Sequence, residues 1–378
     1  DAVCFSVETF AAKRTYLLAE KYKKQNPNIK VIMGGFHPTA CPDEAMQYSD
    51  CIVMGDAEPV WEQVVSDLKQ NNLQKKYISD NSYILPFDKM NKSLFDGKKY
   101  TKIGIVQWKR GCCFNCNFCS VHSFYKNCVS EREIDDVITE IKNTKAKIIF
   151  IADDNLLHDK KKLKEFLHKL IPLKKKWCCQ ISINVTDDEE ILKLMAKSGC
   201  IVMIIGFESL NMKNLVEIGK NQNIANFDYD KAIKKIYSCG IMIYATFIFG
   251  YPHDTLESFN ELYEFSMNHK FAVANFNPLM AMPGTALYDE LKSKEKLVDE
   301  NWWLSDNYSY GDAMHYPENF SAEELSENCK KIRYEFYSRK AILKRMFGKV
   351  NFKHLPLFLL LNEVSHIEIK RKQFAKLG

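Results

Sequence analysis

Short apolar runs alternate with helix-length segments along most of this 378-residue chain. Many of the runs end on glycine or on an acidic residue. Strand, turn, helix, strand in that order is the pattern of parallel sheets layered with helices, an α/β fold. At the front, residues 2–7, 30–33 and 51–54 read as strands, and 11–25 and 59–72 as helices. A further short helix begins at 43. Residues 76–100 are polar and lose the rhythm, so they read as a linker. From 101 it resumes. Strands are expected at 103–107, 147–151, 178–183, 201–205, 242–249 and 272–277, with helices between them at 131–143, 160–172, 187–197, 211–219, 225–238 and 254–269. Six strands with intervening helices predict a curved parallel sheet, a partial (β/α)6 TIM-like barrel. Functional loops then lie beyond the C-terminal ends of the strands. From 300 the chain is expected to be helical and basic.

Composition narrows the setting. Hydrophobic residues make up 46% and charged residues 27%, the balance of a folded domain rather than a disordered one. The formal charge of +5 is mild, and a solvated surface explains it better than nucleic-acid binding. Thirteen cysteines are scattered without a disulfide framework, and no secretory leader pattern precedes them. Free thiols in a reducing cytoplasm are expected. The apolar run 355–361 is far too short to span a membrane. It reads as a buried helix, with contact to a lipid surface as the alternative.

One cluster stands apart from the scatter. Cys112, Cys116 and Cys119 are spaced C-x3-C-x2-C directly after the strand expected at 103–107. Zinc sites usually take four ligands, often in paired C-x2-C knuckles, and no second pair follows. Cys113 and Cys128 are candidates for a fourth ligand. Thiolates are also the usual ligands of iron–sulfur clusters. Three of them leave one iron open for a small molecule. Spacing alone leaves structural zinc, buried thiols and an open cluster all standing.

With Phe118 before the last cysteine, the sequence resembles the radical S-adenosylmethionine superfamily. The resemblance implies that Cys112, Cys116 and Cys119 hold a [4Fe-4S] cluster whose fourth iron binds S-adenosylmethionine. One electron then yields a 5′-deoxyadenosyl radical that takes a substrate hydrogen. It places Phe118 near the adenine. It also implies that Asp153 and Asp154, after the second barrel strand, meet the methionine end of the cofactor, with helix capping as the rival reading. Gln180, Ser182 and Asn184 alternate along the expected third strand, and their period of two puts them on one face, read as inward. Glu208 in Gly206-Phe207-Glu208-Ser209 is expected to approach S-adenosylmethionine. Gly250-Tyr251-Pro252 and Pro283-Gly284-Thr285 resemble later strand-end turns of the family, where glycine and proline only need to shape the chain.

The front segment adds a second resemblance. Gly34-Gly35-Phe36-His37-Pro38-Thr39 and Gly55-Asp56-Ala57-Glu58 resemble the back half of the cobalamin-binding Rossmann-like domain of class B members. This implies that Gly34, Gly35, His37, Gly55 and Glu58 lie at a cobalamin site. The Asp-x-His-x-x-Gly segment that supplies an axial histidine in many such domains has no match. The domain order read from the chain is a truncated cobalamin-binding domain at 1–75, a linker at 76–100, the barrel at 101–299 and a helical region at 300–378. The expected activity is cobalamin-dependent methylation of an unactivated carbon in a small molecule, with a flavodoxin or ferredoxin as reductant. Alternatives are radical cyclisation or rearrangement of a tetrapyrrole or lipid, a tRNA methylthiotransferase, and a non-enzymatic iron–sulfur electron carrier.

Overall fold

The computed structural model describes residues 1–81, 83–90, 93, 97–98, 103–225 and 228–372. Two parallel sheets organise it. The front sheet runs in chain order, β1 (Ala2–Ser6), β2 (Lys30–Gly34), β3 (Cys51–Met54) and β4 (Lys76–Ile78). Its connections are α1 (Ala12–Gln25), the short α2 (Phe36–Ala40) and α3 (Pro42–Ala45), and α4 (Trp61–Lys69). Strands covered on both faces need continuous apolar runs, and β2 supplies one. Val31 and Met33 join the main core, while Ile32 packs on the other face with Cys51, Val53, Val64 and Tyr77. The strand β4 lies inside the stretch read as a linker and pairs Ile52, Val53 and Met54 with Lys76, Tyr77 and Ile78. Tyr77 explains why so polar a stretch still forms a strand: its ring is buried and its hydroxyl donates to Asp67 at 2.7 Å. The rest of that expected linker lies partly outside the described residues.

The second sheet has six parallel strands in the order β12-β11-β10-β9-β8-β5. They are β5 (Ile103–Val106), β8 (Ile148–Ile151), β9 (Lys176–Gln180), β10 (Cys200–Glu208), β11 (Met242–Phe249) and β12 (Val273–Pro278). β5 and β12 are its two edges, so the barrel is open between them, as the six-strand reading anticipates. A small antiparallel pair, β6 (Lys109–Arg110) with β7 (Ser130–Glu131), brackets the cysteine segment. The helices are α5 (Ser120–Tyr125), α6 (Ile134–Asn143), α7 (Lys160–Leu170), α8 (Glu189–Ser198), α9 (Met212–Glu217), α10 (Asn221–Ile224), α11 (Tyr229–Ser238), α12 (Leu256–Asn268) and α13 (Ala286–Ser293). The third strand ends at Gln180, short of the expected 183. Asn155 ends it, because its Oδ1 captures the Ser182 backbone N–H at 3.0 Å and removes that donor from the ladder.

Aromatic packing fixes which way the barrel strands face. Phe249 stacks on Phe259 of α12 with ring centroids 4.2 Å apart, and Phe247 meets Phe265. Their alternates on β11, Tyr244, Thr246 and Ile248, therefore face the barrel interior. The C-terminal region is α14 (Ala322–Phe336), α15 (Arg339–Met346), α16 (Lys349–Lys353) and α17 (Leu355–Lys372). It closes the sheet's last edge. Tyr337 Oη accepts from the Ala274 N–H at 3.2 Å and donates to the Ala274 carbonyl at 3.0 Å, satisfying the free edge of β12. Ile342, Val350 and Phe358 plug the barrel floor against Val202, Met242 and Ala272. No helix among the described residues is long and apolar enough to cross a membrane.

Candidate functional site

The cysteine segment leaves β6 through Gly111, at φ +89°. A Cβ there would lie 2.1 Å from the Cys128 carbonyl, so only glycine passes this point. The segment is then tied on three sides. Gly111 N–H donates to Asp154 at 2.7 Å, Asn117 N–H to the Ile218 carbonyl at 3.2 Å, and Leu287 N–H to the Asn117 carbonyl at 3.1 Å. Burial pushes the Cys116 and Cys119 thiols up, while Lys220 beside both pulls in the opposite direction. The His122 and Val121 backbone amides also pull the Cys119 thiol down, and Gln222 does the same at Cys116. Cys112 shares a hydrogen bond with Cys113. The Cys112 contact, helped by His158 and opposed by burial, holds Cys113 down at about 5. Phe118 is half-buried and packs against the main core.

Two strand ends that looked alike in sequence do different work. Asp153 is 2% exposed and accepts from the Trp108 N–H at 2.8 Å. Burial pushes its carboxyl up to about 7. It lies against the cysteine segment, and its Oδ2 is buried without a hydrogen-bond partner. The neighbouring Asp154 anchors Gly111, and it too serves the loop. Ser182 donates to Asn184 Oδ1 at 2.6 Å. Both lie past the strand rather than along one of its faces.

Glu208 ends β10 in the left-handed region, at φ +63°. That conformation is costly for a side chain with a Cβ and is typical of functional positions. Its carboxylate pairs with Lys220. Both groups are buried, at 6% and 9% exposure. Burial lowers the Lys220 pKa, but Glu208 and the Cys116 thiol outweigh it and leave it raised. Gly206 gives the pair room, since a Cβ there would meet Glu208 Oε1 at 2.2 Å and Lys220 Nζ at 2.7 Å. Across from them Tyr251 is 1% exposed, and its hydroxyl is buried without a hydrogen-bond partner. Its turn is fixed by Asp254, which accepts from Gly250 N–H at 2.9 Å and Tyr251 N–H at 3.0 Å. Lys220 escaped sequence reasoning because it sits in no motif. Tyr251 stands in a turn whose glycine and proline already account for its shape, so the local sequence carries no sign of a functional role.

The front strands end at a second cavity of about 530 Å³. Phe36, Thr39, Gly55 and Ser79 line one side, and Ser123 and Gly284 of the barrel line the other. Gly35 and Gly55 turn the chain at positive φ, and Gly34 ends β2 inside the sheet. His37 does not face this space. It is fully buried, with Nε2 2.9 Å from Tyr16 Oη and 3.0 Å from Glu44, and Trp303 Nε1 donates to the same carboxylate at 3.1 Å. Glu58 does not face it either. With Asp56 it grips Arg110, at 2.7 and 3.2 Å, beside the cysteine segment. Trp302 and Trp303 are 1% exposed and belong to the core.

The donor chemistry suits an open cluster. Among the described residues no three His, Cys, Asp or Glu side chains converge as they would on a single metal ion. Ligands to three separate irons need not converge on one point. The orphan Tyr251 hydroxyl and the Glu208–Lys220 pair leave hydrogen-bonding capacity beside the thiols. The front cavity offers glycine, hydroxyl and aromatic surface at the C-terminal ends of parallel strands, where open α/β sheets bind cofactors.

Comparison with known proteins gives concordant results. A family model described as the Radical SAM superfamily matches residues 106–266, and one described as B12 binding domain matches residues 1–65. Bacteriochlorophyllide d C-12(1)-methyltransferase of Chlorobaculum tepidum is 32% identical over 92% of this chain and 77% of its own length. Bacteriochlorophyllide d C-8(2)-methyltransferase of the same organism is 27% identical over 100% of this chain and 85% of its own. The solved structure of the cobalamin-dependent S-adenosylmethionine radical enzyme OxsB, with aqua-cobalamin bound, shares the fold. Its TM-score is 0.68 at 13% identity, over 98% of this chain. This chain spans 64% of the OxsB chain, less than two thirds.

Proposed function

The chain belongs to the radical S-adenosylmethionine superfamily and carries a B12-binding domain ahead of its barrel, and from that premise we propose that it methylates an unactivated carbon of a small molecule. Its relatives in Chlorobaculum tepidum are named as methyltransferases. The observation that carries the reading is the meeting of three cysteines with a buried Glu208–Lys220 pair and an unpartnered Tyr251 hydroxyl at one barrel mouth.

Bound there, a [4Fe-4S] cluster would supply the electron that cleaves S-adenosylmethionine, and cobalamin the methyl group. In this reading Cys112, Cys116 and Cys119 are the iron ligands. Lys220 stays charged and offsets negative charge at Cys116 and Cys119. Glu208 is positioned to accept hydrogen bonds from a cationic or hydroxylated ligand, and Tyr251 to donate or accept one. Asp154 and Asn117 hold the cysteine segment in place, and Phe118 offers an apolar surface beside it. Ser182 and Asn184 are polar groups at the next strand end. Gly35 and Gly55 keep the front crevice open for the corrin, and Gly34 lets the sheet end tightly behind it. Asp153, His37 and Glu58 are positioning residues that act through their neighbours. A one-electron donor of the flavodoxin or ferredoxin type completes the system.

The test is anaerobic reconstitution with iron, sulfide and cobalamin, followed by dithionite and S-adenosylmethionine. The expected result is 5′-deoxyadenosine, and a change in the cobalamin absorbance when S-adenosylmethionine donates its methyl. Intact cluster with neither product contradicts the reading.

A further inference from the structure

The C-terminal helices have two faces with opposite surroundings. On the inner one, Ile342, Val350 and Phe358 close the barrel floor. Arg345 fixes that side in place. Its guanidinium donates to the Phe271, Ala272 and Phe336 carbonyls and to Asn362 Oδ1 at 2.8–3.1 Å, and it lies over the Phe336 ring. Asn351 and His354 donate to the Lys270 and Gly240 carbonyls. Helices pinned this firmly present a fixed outer surface.

That outer surface is apolar. Leu343 on α15 and Phe347 at its end stand one turn apart, Phe352 follows on α16, and Leu359, Leu360 and Val364 lie along α17, all of them exposed. Phe347 is 66% and Leu360 59% exposed, at positions where a solvated helix carries charge. The residues share one face. Arg339 of α15 pairs with Glu363 of α17 at 3.0 Å, and α16 joins the end of α15 to the start of α17, so the two helices run antiparallel. One turn on from Arg339 is Leu343, and one turn back from Glu363 are Leu359 and Leu360. Single apolar residues on a surface are ordinary, but a contiguous patch marks an interaction site.

Charge says what covers it. Residues 337–362 contain no Asp or Glu and six Lys or Arg. Apart from the buried Arg345, these cations are exposed. A second copy of the chain would set them against their own kind. A protein electron donor would stand at the wrong end of the barrel. These helices pack on Val202 and Met242, near the starts of β10 and β11, whereas Glu208 and the thiols lie at the far ends. The strand from Val202 to Glu208 alone spans about 20 Å. An anionic lipid surface asks only for exposed apolar side chains flanked by cations.

We infer that the outer face of α15, α16 and α17 docks on an anionic lipid bilayer. Phe347, Phe352 and Leu360 enter the headgroup region, and Lys340, Lys344 and Lys349 meet lipid phosphates. The chain lies on the bilayer, and the barrel mouth points away from it. The inference does not depend on the reaction proposed above.

The test is flotation of the full chain with vesicles of phosphatidylcholine alone and of equal parts phosphatidylcholine and phosphatidylglycerol. The wild type should float with the mixed vesicles, stay behind with phosphatidylcholine alone, and be released by salt. Phe347→Ser should weaken binding to the mixed vesicles about tenfold, as loss of one inserted aromatic does. Lys340→Gln, Lys344→Gln and Lys349→Gln should each weaken it about fivefold. All four positions are exposed, so the variants should unfold at the same denaturant concentration as the wild type. No flotation, equal flotation with both vesicles, or variants that float like the wild type overturn the inference. Dimerisation, or binding of a flavodoxin, that Phe347→Ser abolishes while vesicles bind neither protein gives the face to a protein partner and overturns it as well.

Discussion

The barrel mouth and the front crevice are both built at the C-terminal ends of parallel strands, yet they are furnished in opposite ways. At the barrel mouth, buried charge faces inward: Glu208, Lys220 and the thiols share one space. In the front unit several charged groups are engaged away from the crevice. Asp56 and Glu58 hold Arg110, and His37 and Glu44 hold Tyr16 and Trp303. Glycine, hydroxyl and aromatic groups make up most of the front crevice's lining, with Glu8, Asp80 and Lys126 among them. One site is specified by chemistry and the other by shape. The two are coupled, because the acids discarded by the front crevice grip the arginine that precedes the cysteine segment.

The comparison breaks most visibly at the cysteines. Cys116→Ala should abolish cluster assembly and drop 5′-deoxyadenosine to background, read by iron and sulfide content and by chromatography. The same protein should still bind cobalamin if the front crevice depends on shape alone. Next in size is the buried pair. Glu208→Gln leaves Lys220 charged and unpaired, which should cost about 3–5 kcal/mol in denaturant unfolding. Lys220→Met in the same chain should recover most of that loss. Equal destabilisation in single and double variants would show that the two groups do not face one another.

Smaller effects probe the link between the sites. Arg110→Met should destabilise by about 1–3 kcal/mol, as loss of charged hydrogen bonds does, and should expose the front unit to proteolysis before the barrel. Asp153 gives a pH signature. Its folded carboxyl sits at about 7 against an ordinary 3.8, because burial disfavours the charge. The folded state therefore holds this proton more tightly than the unfolded one. Stability from Asp153 should be full below about pH 4 and fall as pH rises toward 7. Asp153→Asn should flatten that slope while keeping the acceptor for Trp108. Smallest is Gly55→Ala, which places a Cβ at φ +82° against Asn81. It should cost about 1–2 kcal/mol and weaken cobalamin uptake without touching the cluster.

The same contrast explains what was legible in the sequence. The strand at 242–249 and the cysteine spacing are local patterns, and the structure has both where the pattern puts them. Glu208 stands at a strand end that the Gly-Phe-Glu-Ser segment marks. Its partner Lys220 lies twelve residues on, beyond a helix, and only the fold brings it back. Arg110 meets Glu58 across 52 residues, and Trp303 meets Glu44 across 259. No local pattern encodes such pairings. They set the partners of His37 and Glu58, which local sequence marks only as candidate cofactor contacts. The third barrel strand ends earlier than its sequence pattern for a related reason. Ser182 continues the alternation, but Asn155 from the previous loop takes its N–H.

The most direct measurement is an electron paramagnetic resonance spectrum of the dithionite-reduced, reconstituted protein before and after S-adenosylmethionine is added. An open iron at Cys112, Cys116 and Cys119 predicts a reduced [4Fe-4S] signal whose g-values shift on addition, and no such signal in Cys116→Ala. A fully formed cluster whose spectrum is unchanged by S-adenosylmethionine would contradict it, and would leave an electron carrier in place of an enzyme.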